Sequence, residues 1–135
     1  MIGLILVAHG EIAKAVLEAT QKICGPSKGI RAITLPDPVD EPELLGKIQE
    51  ARRELDQGNG ILILTDMFGG TPSNICFSLL EESDIEVITG MNLPMIIKLM
   101  SIQEEESLRE LVQIAVECGR ENIYSAREIL DRNRK

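Results

Sequence analysis

At 135 residues, with a formal net charge of −8, the chain suits one domain large enough to build a core without disulfide or metal staples. Its acidity argues against a nucleic-acid or anionic-membrane surface, since both would repel it. With no Trp, one Tyr and two Phe, the core has to be aliphatic. Cys24, Cys76 and Cys118 are odd in number, far apart and without Cys-x-x-Cys spacing, so they are expected as reduced, largely buried core residues of a cytoplasmic protein, not as metal ligands. The N-terminal apolar run lacks a basic flank and a small-residue cleavage site, and no stretch has the length of a membrane span. Neither a metal nor a cofactor is called for.

The chain alternates strand and helix. Gly3 to Ala8 is a short run rich in Leu, Ile and Val that reads as a strand buried on both faces, and it stops at His9, the one histidine in the sequence. Beyond Gly10, Ile12, Val16, Ala19 and Ile23 fall on one face of a helix from Glu11 to Cys24, which Gly25-Pro26 stops. Ile30 to Leu35 is a second strand, followed by the loop 36–39. Asp40 with Glu43 has capping-box spacing, and Leu44, Leu45, Ile48, Ala51 and Leu55 form the buried stripe of a second helix. Ile61 to Leu64 is the third strand, and it ends on Thr65 and Asp66. Two buried strands thereby deliver His9 and Asp66 to the same sheet edge.

The loop that follows, Asp66-Met67-Phe68-Gly69-Gly70-Thr71-Pro72-Ser73-Asn74, turns sharply into a third helix, with Thr71 as expected N-cap and Pro72 at its first position. Its first unpaired N–H groups, beside the Thr71 and Ser73 hydroxyls, suit a phosphate. Ile85 to Thr89 is a fourth strand, and Gly90-Met91-Asn92-Leu93-Pro94 repeats the order glycine, possible cap, early proline. Pro94 to Met100 and Glu104 to Cys118 are two further helices. Ile123-Tyr124 is expected as a short edge strand, Ser125 with Glu128 as the cap of a last helical turn, and 131–135 as a fraying end. Met67, Phe68, Leu93 and Met95 lie in or just after the loops at the His9 edge and are expected to form a docking face.

Such alternation dictates a doubly wound, mainly parallel sheet with helices on both faces, a flavodoxin-like three-layer α/β sandwich, because parallel neighbours need right-handed crossovers. One domain spans 1–135, with 120–135 as a less well defined extension. In such sheets ligands bind beyond the carboxyl ends of the strands. A carboxylate there that accepts the proton of one imidazole nitrogen fixes the tautomer and frees the lone pair of the other, making His9 a nucleophile and Asp66 its orienting partner. A hydrolytic triad fits poorly, as no Ser sits in a Gly-x-Ser-x-Gly elbow.

Val7-Ala8-His9-Gly10, the Asp66 to Asn74 loop and Thr89-Gly90-Met91-Asn92-Leu93-Pro94-Met95 together resemble the EIIA domain of the mannose family of the bacterial phosphoenolpyruvate-dependent sugar phosphotransferase system. The three motifs stand in the family's order across roughly the first hundred residues. The resemblance implies that His9 is the phosphoryl acceptor, that Asp66 orients it, and that Gly10, Gly69, Gly70, Thr71 and Ser73 line the phosphate site. It implies a histidine-containing phosphocarrier protein as donor, an EIIB component as acceptor, and a homodimer in which a last strand is exchanged in some members. No EIIB domain is fused to the sequence as given, which leaves both a sugar transporter and a regulatory relay open. Two other readings stand beside it. A receiver-type domain would take phosphate on Asp66, but His9 occupies the place of its acidic metal ligands and Lys98 falls inside a helix. A binding module for a nucleotide or flavin is weakened by the scarcity of aromatic side chains.

Overall fold

The computed structural model describes residues 1–35 and 37–133. Four strands, β1 (Gly3–Ala8), β2 (Ile30–Thr34), β3 (Ile61–Thr65) and β4 (Ile85–Thr89), form one parallel sheet in the order β2-β1-β3-β4. The helices are α1 (Ile12–Cys24), α2 (Glu41–Leu55), α3 (Thr71–Phe77), continued by a 3-10 turn Ser78–Glu81, α4 (Leu93–Ile102), α5 (Leu108–Glu121) and α6 (Ala126–Asn133). The chain runs from β1 outward to β2, then returns to place β3 on the other side of β1. This reversal is the switch point at which open α/β sheets bind ligands, and it lies between the ends of β1 and β3.

Every residue of β1 and of β3 is buried, because helices cover both faces. Alternate side chains serve the two layers. Leu4, Leu6, Leu62 and Leu64 pack with Met95, Ile96 and Leu99 of α4 and Leu111 and Ala115 of α5. Ile5, Val7, Ile61 and Ile63 pack with Leu44, Ile48 and Leu55 of α2 and Ile75 and Cys76 of α3. Truncating one of these leucines to alanine would cost roughly 2–5 kcal/mol. Asp40 caps α2 by accepting the Glu43 N–H, and Asn92 and Ser107 cap α4 and α5 in the same way through Met95 and Glu110. The fold is the doubly wound α/β sandwich that the alternation dictates.

Several local expectations are corrected. The buried face of α1 carries Ala13 and Thr20 with Val16 and Leu17 beside them, whereas Ile12 and Ile23 are exposed. Thr20 can sit in the core because its hydroxyl donates to the Val16 carbonyl. Cys24 is consequently exposed and Cys118 half-buried; Cys76 alone of the three is buried, and its thiol is pushed up to about 12 by that burial. Ile123-Tyr124 is no strand but an exposed connection between α5 and α6, and α6 is a full two-turn helix without a buried residue that includes Asp131 to Asn133. The expected fraying at 134–135 and the expected loop residue 36 lie outside the described residues. Among the described residues no helix is long and apolar enough to cross a membrane.

Candidate functional site

β1 and β3 run parallel in register, Val7 opposite Thr65, so the residues that leave the two strands emerge side by side. His9 follows β1 and Asp66 follows β3. The Asp66 Oδ2 accepts two hydrogen bonds from His9, one from the ring Nδ1 at 2.8 Å and one from the backbone N–H at 3.1 Å. A single carboxylate oxygen therefore fixes both the main chain and the ring. The His9 carbonyl in turn accepts the Ile12 N–H, which ties the turn through Gly10, φ +52°, to the start of α1.

Asp66 is the more sheltered partner, its side chain 15% exposed against 47% for the His9 ring. Partial burial pushes the carboxyl up, but the hydrogen bonds from the His9 ring and backbone, together with the attraction of the ring, outweigh it and hold Asp66 below its ordinary range. An ionised Asp66 accepts the Nδ1 proton, which leaves Nε2 as the nitrogen with a lone pair. Nε2 has no hydrogen-bond partner among the described residues.

The loop 67–70 brings Gly70 beside this nitrogen. Gly69 has φ +88°, the left-handed region that favours glycine, and its N–H donates to the Ser73 Oγ at 3.1 Å. Ser73 donates onward to the Gly70 carbonyl at 2.9 Å and is buried, so its hydroxyl is spent on shaping the loop. Gly70 lies against the ring: a Cβ there would stand 3.0 Å from the His9 Cε1 and 3.3 Å from Nε2. Its backbone is extended, so the absence of a side chain answers to the ring and not to strain. Gly70 rather than Thr71 is the N-cap of α3, which moves Thr71 and Pro72 one position into the helix. Thr71 caps nothing and is exposed. The first-turn amides of Thr71 and Ser73 have no preceding helical turn to bond to.

The expected site residues His9, Gly10, Asp66, Gly69, Gly70, Thr71 and Ser73 all lie at this one edge. Of the four expected docking residues, Met67 and Phe68 are 53% and 71% exposed, while Leu93 is half-buried and Met95 is part of the core. Met95 turned inward because it sits one turn into α4 on the face that meets α5. Ile12, expected in the buried stripe of α1, is instead exposed beside the His9 turn. Also unread in the sequence was the contact of Gly70 with the ring. Among the described residues no three His, Cys, Asp or Glu side chains gather as metal ligands would.

The family model described as "PTS system fructose IIA component" (EIIA-man) matches residues 3–116. The chain is 31% identical over 124 residues to the "PTS system mannose-specific EIIAB component" of Escherichia coli (strain K12), covering 90% of this chain and 38% of that protein. The chain thus spans well under half the length of that relative. It is 32% identical to the "PTS system sorbose-specific EIIA component" of Lacticaseibacillus casei, over 98% of this chain and 96% of the other. The crystal structure of the phosphotransferase system component EIIA from Streptococcus agalactiae superposes with a TM-score of 0.81 at 29% identity, covering 93% of this chain and 97% of that one. The chain therefore belongs to the mannose-type EIIA family of the sugar phosphotransferase system, a family of phosphotransferase components.

Proposed function

We propose that the domain carries a phosphoryl group on Nε2 of His9, taking it from a histidine-containing phosphocarrier protein and passing it to an EIIB component. The observation that carries this reading is the division of labour on the ring: Nδ1 is held by Asp66 at 2.8 Å and Nε2 faces the Gly70 backbone with no partner. The Nε2 lone pair attacks phosphorus, an N–P bond forms, and the donor's N–P bond breaks with its electron pair returning to the donor imidazole. The ring retains the Nδ1 proton and gains positive character, which the Asp66 carboxylate balances. The phosphoryl oxygens meet the backbone N–H groups of Gly10 and Gly70, the hydroxyl and N–H of Thr71, and the N–H of Ser73, while Gly69 shapes the loop through its bond to the Ser73 Oγ. Incubation with the phosphoenolpyruvate relay should add one phosphoryl mass to the wild-type protein and none to His9→Ala. Labelling by acetyl phosphate with magnesium, but not by the relay, would support a receiver domain instead.

The acidic chain offers the exposed Met67, Phe68 and Ile12 around His9 as an apolar patch for the phosphocarrier and the EIIB component. Phe68 leans on Phe77, ring centroids 5.8 Å apart, so its position is set from within the domain. A homodimer is supported by the contrast between the two sheet edges. On β2, Arg31 pairs with Glu54 and Lys47 donates to the Thr34 carbonyl, charges that blunt an edge. Beside β4 lies a groove of about 340 Å³ lined by Val87, Val112, Val116 and Ile123, and the adjoining segment exposes Tyr124 and Leu130. A second copy covers this edge, and the mass of the assembly should halve in an Ile123→Asp variant if the edge is the interface. The domain works in the cytoplasm, where its thiols stay reduced.

A further inference from the structure

We infer that Asn92 is a positioning residue for the phosphoryl site, holding Asp66 through the backbone of Met91; the inference rests on the reading of His9 and Asp66 just given. Asp66 is the first residue past β3, so its place depends on what anchors the end of that strand. The carbonyl of Thr65, immediately before it, accepts the Met91 N–H at 3.0 Å. Met91 lies beyond β4, after the turn at Gly90, φ +80°, and strand pairing alone does not fix it.

The next residue is clamped from two sides. The Asn92 Oδ1 accepts the Met95 N–H at 3.1 Å and so caps α4, while its Nδ2 donates to the Gly119 carbonyl at 2.9 Å. Gly119 stands in the last turn of α5, whose carbonyls lack an onward helical donor, so the amide fills a need that the helix itself leaves. The three residues pack together: a Cβ at 119 would lie 2.5 Å from the Cε at the movable end of Met95 and in ordinary contact, 3.6 Å, with the Asn92 Oδ1. One side chain therefore ties the α4 start and the α5 end to the loop that grips the strand carrying Asp66.

Asn92→Ser separates the two roles, because serine is an equally good N-cap but has no amide to reach Gly119. Asn92→Ala removes both. Expected for Asn92→Ser is a near-native melting temperature, an unchanged KM for the phosphorylated donor, and a transfer rate lowered on the order of ten- to a hundredfold, as for a slightly misplaced reacting group. The hydrogen-bonded Nδ1 proton resonance of His9 should broaden or disappear in the same variant, a signature that a cap alone would not move. A wild-type rate with an unaltered Nδ1 resonance in Asn92→Ser would overturn the inference. The resonance is read without any phosphoryl donor, so failure of the wild-type protein to be phosphorylated would sink the functional reading while leaving the positioning role to be judged by the spectrum.

Discussion

The two ends of the sheet are built from similar materials and differ in what is left unpaired. At the amino end, the buried Gln103 donates through Nε2 to the carbonyls of Ile2 and Gly29, each at 2.9 Å, and its backbone carbonyl accepts the Ile2 N–H at 3.1 Å. Nearby, Arg52 of α2 binds Asp84 through two bonds of 2.8 and 3.0 Å and also reaches Glu82. Among the described residues no buried side-chain polar atom there lacks a partner, and the result is a closed seam. At the carboxyl end, Nε2 of His9 has no partner, and the Thr65 hydroxyl and the Asp66 Oδ1 are buried without one among the described residues. The paired end holds the strands together; at the other end the half-exposed His9 ring presents Nε2, the group whose bonding capacity a substrate can reach.

Substitutions at the carboxyl end should act on transfer far more than on the fold. Asp66→Asn, which keeps the shape but removes the charge and offers an amide donor to the ring, should slow phosphorylation by about two orders of magnitude. Gly70→Ala should follow with a loss on the order of tenfold, since its Cβ meets a ring that Asp66 prevents from turning away. The extended backbone at Gly70 accepts alanine, so the melting temperature should hold; a fall in stability parallel to the fall in rate would erase the distinction between the two ends.

Amino-end substitutions should do the reverse. Gln103→Leu takes the side-chain donor from the Ile2 carbonyl, while Gly29 keeps the Leu4 N–H, and should cost about 1–3 kcal/mol of stability, read by denaturant unfolding, with the transfer rate per folded molecule unchanged. Arg52→Met should cost only about 1 kcal/mol, because Glu82 and Asp84 are 41% and 42% exposed and solvent screens the pairing. A transfer defect in either variant would mean that the seam is coupled to the site.

The smallest effects concern titration and thiol access. The Asp66 carboxyl is held below its ordinary range, so its contribution to stability is present above that range and lost as pH falls through the folded value. The stability difference between wild type and Asp66→Asn should accordingly be greatest near neutrality and shrink in acid. Thiol labelling of the native protein should modify Cys24 first, Cys118 slowly and Cys76 only on unfolding. Equal rates at the three would contradict the packing of α1 and α3.

Much of the carboxyl end was legible because it depends on strand ends. Apolar runs that stop at His9 and at Thr65-Asp66 place those residues at one edge in any parallel arrangement, and the glycine pair marks the loop that leaves Asp66 for α3. Side-chain direction was less legible. The buried stripe of α1 passes through Thr20, whose hydroxyl is satisfied by its own helix, so a reading that followed apolar residues alone turned the helix and buried Ile12, Ile23 and Cys24 wrongly. Met95 and Ile123 failed for a related reason: whether an apolar residue meets a neighbour depends on α5 and on the unpaired β4 edge, which local periodicity does not encode. Thr71 missed its capping role by a single residue, within the range over which helix starts shift.

The most direct test is the chemistry and location of the phosphoryl adduct. After incubation with the phosphoenolpyruvate relay, the account predicts one adduct that maps to His9, is lost in acid, survives alkali as an N–P bond does, and is absent from His9→Ala. An alkali-labile adduct that maps to Asp66, persists in His9→Ala and vanishes in Asp66→Asn would contradict it.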